Sequence, residues 1–148
     1  MPDNPSIIVV TSSGTILSHH SDFMDFFQHL NASKKNLVIY SHQLLNDYTP
    51  IKQIPANETI ILYQKDFFLF NFSIKPNVSR TLKQSTYDIL IHFNTHQHLR
   101  NTYLISKTIP ATIKISDTLR HSPSFSVIIH NSEKYLSDVI NYMNKIIL

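Results

Sequence analysis

The chain contains no cysteine. Disulfides, thiolate metal centres and cysteine nucleophiles are therefore excluded together, and a reducing compartment fits this composition. Glycine is almost as scarce: Gly14 is the single one among 148 residues, where about ten would be ordinary. Glycine supplies positive φ and lets a phosphate come close to the backbone. Neither GxGxxG nor GxxxxGK[ST] can be written with one glycine, so glycine-rich nucleotide loops are ruled out. Long apolar runs are missing too. Phe67–Phe70 and Ile146–Leu148 fall far short of the roughly 18 residues of a membrane span. Met1-Pro2-Asp3-Asn4-Pro5 has neither the basic nor the apolar region of a secretory signal, which favours a cytoplasmic location. Charge is low and mixed, with 13 basic and 10 acidic residues giving +3. Lys34-Lys35 is the one adjacent basic pair, and scattered charge argues against nucleic-acid binding, which clusters it.

What is present is a globular pattern, 42% hydrophobic and 16% charged. Ser6–Thr11 (SIIVVT) is continuously apolar, as a strand covered on both faces is. Ser12-Ser13-Gly14-Thr15 breaks it, and Ser21 is placed to cap a helix with Asp22 in its first turn. Phe23, Phe26, Phe27 and Leu30 lie at i, i+3, i+4 and i+7 on one helix face, and Asn31 closes the segment. Leu37–Ser41 is a second buried strand, so the first forty residues read as a βαβ unit with parallel strands. Residues 42–57 read as irregular, and Thr59–Tyr63 as a third strand. Pro76 opens a short helix to Lys83, and Tyr87–Phe93 is a fourth, central strand. Thr95 is placed to cap a helix to about Lys107, with Leu99 and Tyr103 inward. Ala111–Ser116 and Phe125–His130 are strands five and six. Asn131 or Ser132 then caps a helix whose stripe is Tyr135, Leu136, Val139, Ile140, Met143, Ile146 and Ile147.

This alternation predicts one α/β domain over residues 1–148, a three-layer Rossmann-like sandwich with a mostly parallel sheet of five to six strands. The link between strands five and six shows no strong helix, which leaves one edge pair open to antiparallel pairing.

Three segments carry a resemblance: Gln64-Lys65-Asp66-Phe67-Phe68-Leu69-Phe70, Ile74-Lys75-Pro76-Asn77-Val78 and Tyr87-Asp88-Ile89-Leu90-Ile91. With Ser106–Lys114 they resemble a family of small uncharacterised Bacteroidetes proteins, a domain of unknown function. The likeness covers roughly residues 60–116 by motif and the whole chain by order of elements. It departs at Asn71 and Ser116, where the family tends to carry glycine. The resemblance implies an α/β fold and no particular reaction.

Ligands of open parallel sheets bind beyond the carboxyl ends of the strands. That rule selects Ser12, Ser13, Gly14 and Thr15 after strand one, His42 after strand two, the His92–His98 stretch with Asn94 after strand four, and His130 after strand six. The Ser12–Thr15 hydroxyls and amides suit an anion, and the same residues make an ordinary turn. His92, His96 and His98 carry spacing that zinc could use, while nine histidines in the chain make local clusters common by chance. Asp22 and Asp25 face water on this reading, no G-x-S-x-G elbow exists, and no catalytic residue is assigned. Lys65–Phe72 reads first as core. Exposed, its Phe67, Phe68, Phe70 and Phe72 would form an interface. No cofactor is implied. The leading expectation is a non-enzymatic interaction or scaffold domain with a protein partner or a second copy. The alternatives are a small-molecule or anion-binding protein using the strand-end crevice, and an RNA- or ribosome-associated protein prompted by the basic isoelectric point of about 9.1.

Overall fold

The computed structural model describes residues 4–70, 73–94, 98–118, 124–129 and 134–147. Its strands are β1 (Ser6–Ser12), β2 (Lys34–Ser41), β3 (Glu58–Tyr63), β4 (Tyr87–Phe93), β5 (Ala111–Ser116) and β6 (Val127–Ile128). They form one sheet in the order β3-β2-β1-β4-β5-β6, and every neighbouring pair is parallel. Apolar runs occupy the middle of β1 (Ile7–Val10), β2 (Leu37–Tyr40) and β4 (Ile89–Ile91) because helices cover both faces.

On one face, Ile7, Val9, Leu37, Ile39, Ile89 and Ile91 pack under α1 (Ser13–Ser18), α2 (His20–His29), α3 (Thr49–Lys52) and α6 (Tyr135–Ile147). Phe23, Phe26 and Phe27 from α2 and Tyr135, Leu136, Val139 and Met143 from α6 fill this layer. On the other face, Ile8, Val10, Val38, Tyr40 and Leu90 pack under α4 (Pro76–Leu82) and α5 (Leu99–Thr108). Each fully buried large side chain contributes about 1.5–3 kcal/mol by leaving water, so the two apolar layers hold the sheet between them.

Several expectations are corrected. The β5–β6 edge pair is parallel, not antiparallel: Ile115 pairs with Val127 and Ser116 with Ile128. β6 meets only the last two residues of β5. The antiparallel contact lies elsewhere, as a single bridge between Phe67 and Ile74. The Ser12–Thr15 segment ends β1 as expected, but it leads directly into a helix rather than a turn. Ser12 has extended dihedrals, its hydroxyl accepts from the Thr15 amide, and α1 starts at Ser13. Ser21 is no cap, because α2 starts at His20 straight after His19. The α5 face that is buried is Thr102, Ile105 and Ser106, while Leu99 and Tyr103 are half-buried. Within 42–57 the chain makes the one-turn helix α3, and Gln64–Asp66 forms a 3₁₀ turn. Thr95, Asn131 and Ser132, the expected caps, lie outside the described residues.

Among the described residues, no helix is long and apolar enough to cross a membrane.

Candidate functional site at the carboxyl ends of the strands

The strand order reverses between β1 and β4, which opens a crevice beyond their carboxyl ends. Its floor is a buried polar network. The Ser12 and Thr15 hydroxyls lie 2.8 Å apart, and both donate to the Asn94 side-chain oxygen at 3.1 Å. The Asn94 amide donates to the Thr102 hydroxyl at 2.9 Å, and the Asn94 backbone N–H reaches Asp117 at 3.3 Å. Thr102 also lies 2.9 Å from His92 Nε2, and Ser116 lies 2.8 Å from His92 Nδ1. From the opposite layer, Tyr135 donates its hydroxyl to the His92 carbonyl at 2.9 Å. Burial, and then Asp117, push the Tyr135 phenol well above its ordinary range, so it stays a donor. Buried polar atoms persist only when paired, and this network ties β1, β4, β5, α1 and α5 into one rigid base.

Above that base lies a cleft of about 910 Å³, lined by Ser12, Ser13, Gly14, Tyr40, His42, Leu44, His98 and neighbouring residues of the loop after β2. Tyr40 and His42 are two apart along β2 and its extension, so both project toward the α5 side. The Tyr40 hydroxyl lies 3.2 Å from His42 Nδ1, and burial raises its pKa above the usual value. The His42 and His98 rings stack with centroids 4.3 Å apart and planes 8° off parallel. Burial first, and the adjacent His42 imidazole second, hold His98 below the ordinary imidazole pKa. His98 sits in the left-handed region with φ 67°, the one positive φ outside glycine among the described residues. Histidine is among the residues that tolerate this region, yet the conformation costs on the order of 1–3 kcal/mol and tends to mark functional sites.

The imidazole pair also borders a smaller hollow of about 120 Å³ shared with Gln64, Phe67, Phe68, Leu69 and Asn101. Phe67 is buried edge-on against Tyr40 at 5.4 Å. Phe68, Leu69 and Phe70 are 43%, 73% and 99% exposed, and Leu44 on the facing loop is 75% exposed. The core reading of Lys65–Phe72 is thus corrected for all but Phe67 among its described aromatic residues. Phe72 lies outside the described residues.

Ser12, Ser13, Gly14 and His42 share the cleft wall, whereas Thr15 and Asn94 lie beneath it and brace Ser12. The proposed metal trio does not assemble in the described part of the chain. His92 is fully buried, and both ring nitrogens are taken up by Ser116 and Thr102 while its face stacks on Phe125. His98 pairs with His42 instead, and His96 and His130 lie outside the described residues. No group of three His, Asp or Glu among the described residues is placed to hold a metal ion. Sequence reasoning missed Tyr40, Thr102, Ser116 and the meeting of His42 with His98. The Tyr40–His42 spacing on one strand face was the available signal.

A second hollow of about 310 Å³ lies on the opposite layer between α2 and α6, where His19 and Asp22 approach to 3.5 Å. It shares no lining residue with the strand-end cleft.

Compared with protein-family models, with curated proteins and with solved structures, the chain matches none of them.

Proposed function

We propose that this chain is a small-molecule-binding domain whose ligand occupies the strand-end cleft. The observation that carries the reading is the cleft itself: about 910 Å³ at the strand-order reversal, lined by Gly14 and by the stacked His42–His98 pair. Ligand sites in folds of this type are concave, preformed and placed at that reversal. The rigid hydrogen-bonded base and the left-handed His98 support it, since both fix polar groups before a ligand arrives. The likeness to the small Bacteroidetes family and a cytoplasmic location belong to the same reading and add no reaction.

Thermal unfolding against a panel of oxyanions, nucleotides, carboxylic acids and divalent metals tests it. A ligand at 100 times its dissociation constant adds about 2.7 kcal/mol, and His42→Ala should cancel that gain. Absence of any shift across the panel overturns the proposal.

Exposed Leu44, Phe68, Leu69 and Phe70 favour a second reading, an interaction domain whose partner covers the rim of the cleft. Sedimentation of the chain alone and with candidate partners separates the two, because only this reading requires a complex. An RNA-associated role has no comparable support, as the residues lining the cleft include neither lysine nor arginine.

A further inference from the structure

Resting on the cleft reading above, we propose that the ligand carries an oxyanion group that seats against the stacked His42–His98 pair and draws a proton from solvent onto it. Two imidazoles face to face at 4.3 Å cannot both be cations without a neighbouring negative charge. Among the described residues, no aspartate or glutamate lines either hollow that the pair borders.

Among the described residues, few groups share the hollows with the pair. From β2 comes Tyr40, a buried phenol that stays protonated. From the turn after β3 come Gln64, Phe67, Phe68 and Leu69, and from α5 Asn101, all without charge. Asp66 on that turn is held by the Tyr63 amide at 2.8 Å, and Lys65 and Arg100 are exposed and line neither hollow. Among the described residues lining the two hollows the pair therefore faces no compensating charge, in keeping with the lowered pKa of His98. An oxyanion provides what the walls omit. It accepts imidazole N–H bonds of the charge-assisted kind, and Ser13 is among the residues lining the same cleft. The step is balanced: the anion and one proton enter from water, the proton rests on an imidazole nitrogen, and no covalent bond changes.

Sulfate is a suitable probe because it keeps one charge state between pH 5 and 8. Its affinity should rise as pH falls, by up to about tenfold per pH unit where one proton is linked to binding. The Hε1 resonances of His42 and His98 should move with sulfate, with His98 titrating about one unit higher, a tenfold change in proton affinity. Acetate in a parallel arm separates a planar carboxylate from a tetrahedral oxyanion. His98→Asn retains a residue that accepts left-handed backbone and should abolish the pH dependence while the fold is kept. If sulfate and acetate leave both resonances still but adenosine, a neutral planar compound, moves them, the oxyanion inference falls and the cleft reading stands. If none of the three moves them, both fall. Sulfate affinity that stays level with pH also overturns the inference.

Discussion

Changing Gly14 to alanine separates the demands of folding from those of the cleft. Gly14 lies in the first turn of α1, its φ is not positive, and a Cβ built there meets no atom within 4 Å. Neither backbone conformation nor packing requires glycine at this position. Alanine should remove unfolded-state freedom and favour the helix, stabilising the fold by about 0.5–1 kcal/mol. For a chain of this length that is a rise in Tm of roughly 1–4 °C. The same methyl group is added to a residue that lines the cleft together with the imidazole pair. A sulfate seated against Gly14 would have to give way to that methyl, and its affinity should fall roughly tenfold, about 1.4 kcal/mol. Urea denaturation gives the first number, and titration followed at the His98 resonance gives the second. The signs should be opposite. A fall in Tm would mean that the backbone needs glycine after all. Unchanged sulfate affinity beside a raised Tm would mean that no ligand approaches this wall.

Other substitutions test neighbouring parts of the argument. Asn94→Ala removes three buried hydrogen bonds, to Ser12, Thr15 and Thr102, and at about 1 kcal/mol each should cost about 3 kcal/mol in chemical unfolding; a loss under about 1 kcal/mol would show that the network is not the rigid base described. Folding holds the His98 pKa below its unfolded value, so the unfolded state takes up the proton first as pH falls. Stability should therefore drop as pH is lowered through about 6.5 and level off below the folded pKa; His98→Asn should flatten the profile, and identical profiles would refute the assignment. Phe70→Ser should change stability by less than about 0.5 kcal/mol, since the ring is 99% exposed, and should weaken any self-association seen by sedimentation; strong destabilisation would show that the ring is packed.

The sheet and its two best helices were legible because their physics is local. Unbroken apolar runs mark β1, β2 and β4, and the Phe23–Leu30 and Tyr135–Met143 stripes mark α2 and α6. α1 escaped because Ser, Gly and Thr are turn formers, and composition does not reveal that the Ser12 hydroxyl caps the Thr15 amide. β6 escaped in extent, as only two residues of the apolar run Phe125–Ile129 keep ladder pairing with β5. Phe67 and Phe68 are adjacent and chemically identical, yet one is buried and the other open to solvent. The direction of a turn decides that. At the site, the Ser12–Thr15 and His42 positions followed from the strand-end rule, whereas the pairing of His42 with His98 depends on one left-handed residue at the start of α5.

The strand order also has a kinetic consequence. β1 is made first but sits in the middle of the sheet, with Ile7 opposite Ile89 on β4. Until β4 has been synthesised, β1 is itself an edge strand, apolar on both faces, with one row of amides and carbonyls unpaired. Such an edge readily accepts a strand from another molecule, and closing parallel pairs between distant segments is slow. The interval between synthesis of the first and fourth strands is when this chain is most exposed to aggregation. Slower, cooler expression should raise its folded yield more than strengthening either outer strand.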